Sequence, residues 1–239
     1  MIVRKKRRWL LPLIVGLFLL LLTAVLLVLS HWNLLPTKSY TAEDFDIETA
    51  VSPVDFNGNG VDDYRDLLLG ARQDAENHPV YDGRYYNEAY PPDDIGVCTD
   101  VVWRAFRNAG YCLRDMVDLD IALRPEAYPH ITHRDDHIDF RRVRNLRIFF
   151  ETYAICLTTD PSQIDQWQPG DIVVFGDNQH IGIVSDRRTR NGTVYIIHNG
   201  GQPNREEDYL SRTNLEILGH YRFDASLVEP DFLIAWQEE

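Results

Sequence analysis

Ile95-Gly96-Val97-Cys98-Thr99-Asp100-Val101-Val102-Trp103-Arg104-Ala105-Phe106 sets the organisation of this 239-residue chain. The lead-in Tyr90-Pro91-Pro92-Asp93-Asp94 is turn-prone, and Gly110 stands where a helix would stop. The pattern between them predicts a helix with Cys98 in its first turn. Cys98, Val102, Ala105 and Ala109 recur at helical intervals, so the sulfur belongs to the inward face. In a first turn, unpaired N–H groups and the positive end of the helix dipole favour a thiolate. Cys98 therefore reads either as a nucleophile set against a sheet or as a small buried core residue.

Toward the N-terminus, residues 9–29 carry no charge. At about 1.5 Å per residue such a run crosses a bilayer core of about 30 Å. Arg4, Lys5, Lys6, Arg7 and Arg8 precede it, an arrangement that keeps the N-terminus cytoplasmic and sends the remainder outside. Ser30-His31-Trp32-Asn33 offers no A-x-A-like cleavage site, so an uncleaved anchor is expected rather than a removed signal peptide. Those five cations are part of 24, and the rest of the chain holds 19 basic against 37 acidic residues, a formal −18. Such a surface repels phosphate and argues against a nucleic-acid partner. It suits a secreted domain and can collect divalent cations. Cys98, Cys112 and Cys156 leave open a Cys112–Cys156 disulfide or three free thiols.

Beyond a short polar stalk comes Asp55-Phe56-Asn57-Gly58-Asn59-Gly60-Val61-Asp62-Asp63-Tyr64-Arg65-Asp66, which fits a calcium loop. Asp55, Asn57, Asn59, Asp63 and Asp66 fall at the oxygen-ligand positions, Val61 offers its carbonyl, and Gly60 allows the sharp turn. Aspartate closes the loop, Asp62 stands at a usually apolar position, and no helix precedes it. It thus resembles dockerin-type loops more than an EF-hand. The expected ion is a structural calcium; the competing reading is an Asn/Gly turn capping a helix over 63–75. Next come Tyr81, Tyr85, Tyr86 and Tyr90, of which Tyr81 and Tyr86 are candidates for lining a substrate cleft, against ordinary packing at a domain edge.

Helices are expected over 113–123 and 141–150. Between them His130, His133, His137, Asp135, Asp136 and Asp139 invite a metal reading, yet their spacing suits a solvated loop better. The period then changes to short β-branched and aromatic runs at 171–175, 181–185, 193–197 and 220–223. Helices first and an antiparallel meander afterwards make an α+β fold. An acidic tail over 225–239 carries the apolar stretch Phe232-Leu233-Ile234-Ala235-Trp236.

The runs at 181–185 and 193–197 flank Asp186-Arg187-Arg188-Thr189-Arg190-Asn191-Gly192, a connection suited to a hairpin. If that hairpin is symmetric about residue 189, His180 stands directly opposite His198, with Cβ atoms about 4.5–5.5 Å apart on one face. A one-residue slip brings Asn199 toward that neighbourhood instead, on the other face. Cysteine hydrolysis uses such a pair: one imidazole takes the thiol proton and returns it to the leaving amine, and a polar third group fixes the tautomer. Unrelated strand-end histidines and a Cys98/His180/His198 zinc site are the alternatives.

Gly96-Val97-Cys98-Thr99-Asp100, Gln168-Pro169-Gly170-Asp171-Ile172-Val173-Val174-Phe175, His180-Ile181-Gly182-Ile183-Val184 and Ile196-Ile197-His198-Asn199 follow in that order. This order resembles the NlpC-type cell-wall cysteine peptidases, papain relatives by fold, over about residues 78–223. The resemblance implies a papain-like fold with the nucleophile helix packed on an antiparallel sheet. It implies Cys98 as nucleophile, His180 as general base and His198 as orienting residue, with Asn199 as the other candidate for that third role. The family's usual Asp-Cys-Ser-Gly is replaced by Val97-Cys98-Thr99-Asp100, so Asp100 is an extra carboxylate that either raises the thiol pKa or binds a substrate amine. The insert over 111–167 also departs from the family and bears on the shape of the cleft.

The expected organisation is a basic cytoplasmic tail (1–8), a transmembrane anchor (9–31), the stalk (32–50), the calcium-type loop and helix (51–77), a hydrolase domain (78–224) and the tail (225–239). The expected function is a membrane-anchored, extracytoplasmic cysteine hydrolase that cuts an amide or peptide bond in peptidoglycan through a thioester, with no catalytic cofactor. Tyr81, Tyr86, Asp100 and Asn199 are its candidate substrate contacts. An amidase, thioesterase or acyltransferase acting on a lipid or small amide is the alternative chemistry. A catalytically silent, calcium-stabilised cell-wall binding module is the alternative without chemistry.

Overall fold

The computed structural model describes residues 10–32, 34–35 and 38–237, and the expected basic tail lies outside them. The chain divides into two compact units, residues 1–37 and 38–239. In the first, α1 (Leu10–His31) has 22 residues, no buried side chain and no acidic residue in its first turn. At about 1.5 Å per residue it is long and apolar enough to span a membrane.

The second unit is a mixed α+β fold. Its helices are α2 (Asp63–Asn77), α3 (Cys98–Asn108), α4 (Leu113–Leu123) and α5 (Val143–Tyr153). A short parallel pair, β1 (Val80–Tyr81) and β2 (Ile95–Gly96), leads into α3. The main sheet consists of β3 (Ile155–Cys156), β4 (Ile172–Phe175), β5 (His180–Arg188), β6 (Val194–Ile197), β7 (Glu206–Glu207) and β8 (Ile217–Arg222).

The helix expected at Cys98 forms, and every side chain from Cys98 to Phe106 is buried. It is enclosed because α2 packs along it and β5 lies against it. Gly70 of α2 permits the approach: a Cβ there would stand 2.5 Å from Asn108 Cβ and 2.9 Å from Ala105 Cα. The segment over 51–77 is thus part of the same unit as the rest, and most of the expected stalk is too. Tyr40 bridges to Arg188, and the Gln168 side chain accepts from Ala50 N–H at 3.1 Å and donates to the Glu48 carbonyl at 3.2 Å. The C-terminal tail docks as well, Trp236 N–H donating to the Gly110 carbonyl at 2.7 Å.

The six strands run in the order β3-β8-β4-β5-β6-β7, antiparallel throughout. β4, β5 and β6 follow one another as the expected meander, but the fourth expected strand, β8, returns to the far side of β4, and the place beside β6 goes to β7, which is not among the expected strands. Ile172, Val174, Ile181, Ile183 and Ile197 pack with the helices, while Val173, Phe175, Val184 and Ile196 cover the other face with Trp167. This is the two-residue period of a strand with both faces covered, and it explains the unbroken apolar run of β4. Each such side chain contributes about 1.5–3 kcal/mol of burial. All three cysteines are free thiols; Cys112 is buried and Cys156 is exposed on the edge strand.

Candidate active site

Extended backbone at Val97 delivers Cys98 to the first position of α3, where the Asp100 carboxylate accepts the Val97 N–H at 2.7 Å. The backbone N–H of Ile181, the residue after His180, is near enough to the Cys98 sulfur to favour its thiolate. Burial pushes the thiol up to about 11; donation from Ile181 opposes this, and the Asp100 charge adds to it. The thiolate expected from the helix start is therefore outweighed by desolvation, and the resting group is a neutral thiol.

The observed β5–β6 register pairs Ile183 with Ile197 and Val184 with Ile196. Continued toward the strand end, it sets His198 across from Gly182 rather than from His180. The slip is two residues, not one, so both rings stay on one face. His180 Nε2 and His198 Nδ1 are 2.8 Å apart, with the rings nearly perpendicular at 88°. Gly182 makes room for this diagonal contact: a Cβ there would lie 2.6 Å from Ile196 Cγ2 and 3.2 Å from His198 Cβ. Burial, with His198 alongside, pushes His180 down to about 3, and burial lowers His198 against the pull of Glu207. Both rings are consequently neutral at neutral pH, each with one N–H and one lone pair.

Residues that the sequence reading did not single out complete the surroundings. Glu207 Oε1 is 3.4 Å from His198 Nε2. The Tyr209 ring lies 4.3 Å from the His198 ring and 5.4 Å from the His180 ring, centroid to centroid. The Gln202 amide nitrogen donates to the His198 carbonyl at 3.0 Å. No periodicity marks these positions. Their only sequence signal is proximity to His198 in a chain that must turn back at Gly200-Gly201.

Of the four expected substrate contacts, Tyr81 is half exposed and near enough to Cys98 for the sulfur's charge, after burial, to raise its phenol pKa. Tyr86 lies under the Arg141 guanidinium, 5.4 Å from the ring centre. Asp100 is not available to a substrate amine. It is fully buried and accepts from Arg141 Nε at 2.7 Å, Arg141 Nη2 at 2.9 Å and Trp103 Nε1 at 2.7 Å, besides Val97. Of its two expected roles, raising the thiol pKa is the one the structure keeps. Asn199 is buried as well, donating to the Gly96 carbonyl at 3.0 Å and accepting from Gly201 N–H at 3.0 Å. It ties β2 to the turn, while His198 takes the place beside His180.

In the calcium-type loop, Asp55 accepts from Asn59 and Gly60 N–H groups, and Asn57 and Asn59 both donate to Asp66 Oδ2, at 2.8 and 2.9 Å. The Val61 N–H donates to Asn59 Oδ1 at 2.7 Å. Asp63 turns into the fold, accepting from Phe56 N–H at 2.9 Å and the Tyr111 hydroxyl at 2.5 Å. In the 130–139 stretch, His130 Nε2 meets Asn145 Oδ1 at 2.6 Å. Among the described residues no three histidine, cysteine or carboxylate side chains stand together as metal ligands would. A groove of about 560 Å³, lined by Leu119, Leu123, Tyr153, Leu227 and Phe232, lies apart from Cys98 and the histidines.

A family model described as a domain of unknown function, DUF1287, matches residues 68–223, more than half of the chain. The chain belongs to that family. The DUF1287 span starts within α2, after the calcium-type loop, and contains Cys98, His180, His198 and Glu207. The uncharacterised protein YijF of Escherichia coli (strain K12) is 40% identical over 164 residues, which cover 64% of this chain and 78% of YijF. No solved structure matches the chain.

Proposed function

We propose that this DUF1287 protein is a cysteine hydrolase that cuts an amide or peptide bond through a thioester. The observation that carries the reading is the 2.8 Å contact between His180 and His198, with the helix-start Cys98 sulfur near the N–H of Ile181, the residue that follows His180. His180 Nε2 is occupied by His198, which leaves Nδ1 as the nitrogen that can serve Cys98. In the reaction the Cys98 S–H proton passes to His180 Nδ1 as sulfur attacks the substrate carbonyl carbon. The C–N bond then breaks, the amine leaves with the proton from His180, and water hydrolyses the thioester by the reverse proton path. Because thiol and imidazole are both neutral at rest, proton transfer accompanies attack rather than preceding it.

A nucleophile helix packed on an antiparallel sheet, with two histidines at one strand end, supports kinship with the papain-like NlpC-type peptidases. That resemblance and α1 as an anchor, with the basic N-terminus cytoplasmic, favour peptidoglycan as substrate and an extracytoplasmic location. The test is incubation of the full-length chain in detergent with purified wall fragments. A product heavier by one water at an amide, absent for Cys98→Ala, is expected. Turnover only of an ester or a small amide would move the substrate to the alternative class, and a bound, uncut fragment would make the protein a binding module.

The loop over 55–66 is a proposed structural calcium site. Its support is that Asn57, Asn59 and Asp66 already meet side chain to side chain next to Asp55. Asp63 is committed elsewhere, at the ligand position that calcium loops often fill through water. Calcium is expected to raise the Tm by a few degrees, by mass action on the folded state. A Tm indifferent to calcium and to chelator would remove the ion and leave a hydrogen-bonded cap on α2.

A further inference from the structure

β7 consists of only two residues, and its register decides where two carboxylates go. Ile196 pairs with Glu207 and Ile197 with Glu206. Neighbouring residues of a strand face opposite ways, so Glu207 shares the face of Ile196 and hence of His198. Glu206 points to the other side, where Arg72 Nη2 meets it at 2.7 Å and the Ser185 hydroxyl donates to it. Glu207 is about nine-tenths buried, with Oε1 at 3.4 Å from His198 Nε2 and Oε2 at 3.6 Å from Arg212 Nη1.

A carboxylate can only accept. The nitrogen of His198 facing it must therefore carry the proton, and in a neutral ring the other nitrogen, Nδ1, is then a lone pair. That lone pair lies 2.8 Å from His180 Nε2, which must in turn bear the proton of that contact. His180 Nδ1 is then left unprotonated. The Gln202 amide does not contest this order: its nitrogen is 3.4 Å from His198 Nδ1 and 3.2 Å from Nε2. Such near-equal distances place it over the ring face and not in line with either lone pair.

We propose that Glu207 is the positioning residue that fixes both tautomers, so that His180 presents a lone pair to the Cys98 thiol and not a second N–H. The proposal rests on the cysteine-hydrolase reading for its consequence, but not for its test. In full-length protein in detergent with 15N-labelled histidine, long-range proton–nitrogen correlation reads the tautomer of each ring directly. Signals are assigned by their loss in His198→Gln and His180→Gln. The expected result is both rings protonated at Nε2 in the wild type, and a mixture for His198 in Glu207→Ala. Glu207→Gln keeps an oxygen acceptor and is expected to keep the wild-type tautomers. Alongside, the His180-dependent alkylation of Cys98 by iodoacetamide is expected to fall about tenfold or more in Glu207→Ala, as for loss of an outer orienting group, and to recover in Glu207→Gln. A wild-type His198 protonated at Nδ1, or tautomers unchanged in a folded Glu207→Ala, would overturn the proposal. Correct tautomers with no His180-dependent alkylation would leave Glu207 in this role and sink the hydrolase reading alone.

Discussion

The sheet holds two buried histidine–carboxylate assemblies, and they are built to different ends. His220 on β8 has both nitrogens occupied by the fold: Nδ1 is 2.8 Å from the Thr158 carbonyl and Nε2 is 3.0 Å from Asp171 Oδ2. Its ring stacks on Trp167 at 3.9 Å, and Asp171 is held further by two bonds from Arg222, at 2.7 and 2.8 Å. Of the two His180 nitrogens, by contrast, only Nε2 has a hydrogen-bond partner among the described residues, and the N–H of the next residue, Ile181, is near the Cys98 sulfur. A histidine whose two nitrogens are both spent holds strands together. One with a nitrogen left over keeps a site that can take or give a proton.

The sharpest way to break this contrast is to delete each ring in turn. His180→Ala is expected to slow alkylation of Cys98 at pH 7 by about a hundredfold, the lower end for loss of a general base. Peptide mass analysis is needed to separate Cys98 from the exposed Cys156. His220→Ala should alkylate like the wild type but lose about 1–3 kcal/mol in urea unfolding, because the Thr158 carbonyl and part of Asp171 lose their partner in the interior. Equal labelling in the two variants would erase the distinction.

The pH profile sharpens it further. With the thiol pushed up to about 11, direct ionisation should make alkylation rise about tenfold per pH unit through pH 8–10, with or without His180. Transfer from thiol to imidazole adds a pH-independent floor below that limb in the wild type, and His180→Ala should lack it. Because His180 is held down to about 3, the floor should persist well below pH 6.5, where an ordinary histidine would have been protonated. Stability follows the same sign. The unfolded chain takes up the His180 proton first, so this group's contribution is complete above about pH 6.5 and lost as pH falls toward 3. A floor that vanishes near pH 6.5 would mean an imidazole far better solvated than the burial of His180 allows.

How much of this was legible beforehand depended on the range of the interactions involved. The helix with Cys98 in its first turn, the bounds of α4 and the strands β4, β5 and β6 follow from local spacing and form as expected, whereas the placement of β8 beside β4 does not. The facing of His180 and His198 also came through, since a two-residue error in register preserves the face. What did not come through was decided by partners far along the chain. Asp100 looks like a cleft carboxylate until Arg141, from the 111–167 insert, claims both its oxygens. Asn199 looks like a triad member until Gly96 claims its amide. The helix dipole at Cys98 is a local effect, but the desolvation that overrides it comes from the sheet packed across α3. Glu207 lies on a strand too short to show a period, and only the β6–β7 register reveals which of two adjacent glutamates faces the rings.

The smallest expected effect tests the gap that makes the diagonal contact possible. At Gly182 an added methyl would sit 2.6 Å from Ile196 Cγ2 and 2.9 Å from the Ile197 carbonyl, so β6 must move. Gly182→Ala should cost about 1–3 kcal/mol, the usual range for overpacking a tight interior. Because His198 Cβ is only 3.2 Å away, the displacement should also loosen the His180–His198 contact and lower the alkylation floor by a few-fold. Gly70→Ala provides the comparison. It crowds Asn108 and Ala105 at the α2–α3 contact, far along α3 from Cys98, and should cost comparable stability while leaving the floor in place. If both substitutions lowered the floor in proportion to their stability loss, glycine at 182 would serve packing alone. A floor lowered only by Gly182→Ala ties that missing side chain to the geometry of the two rings.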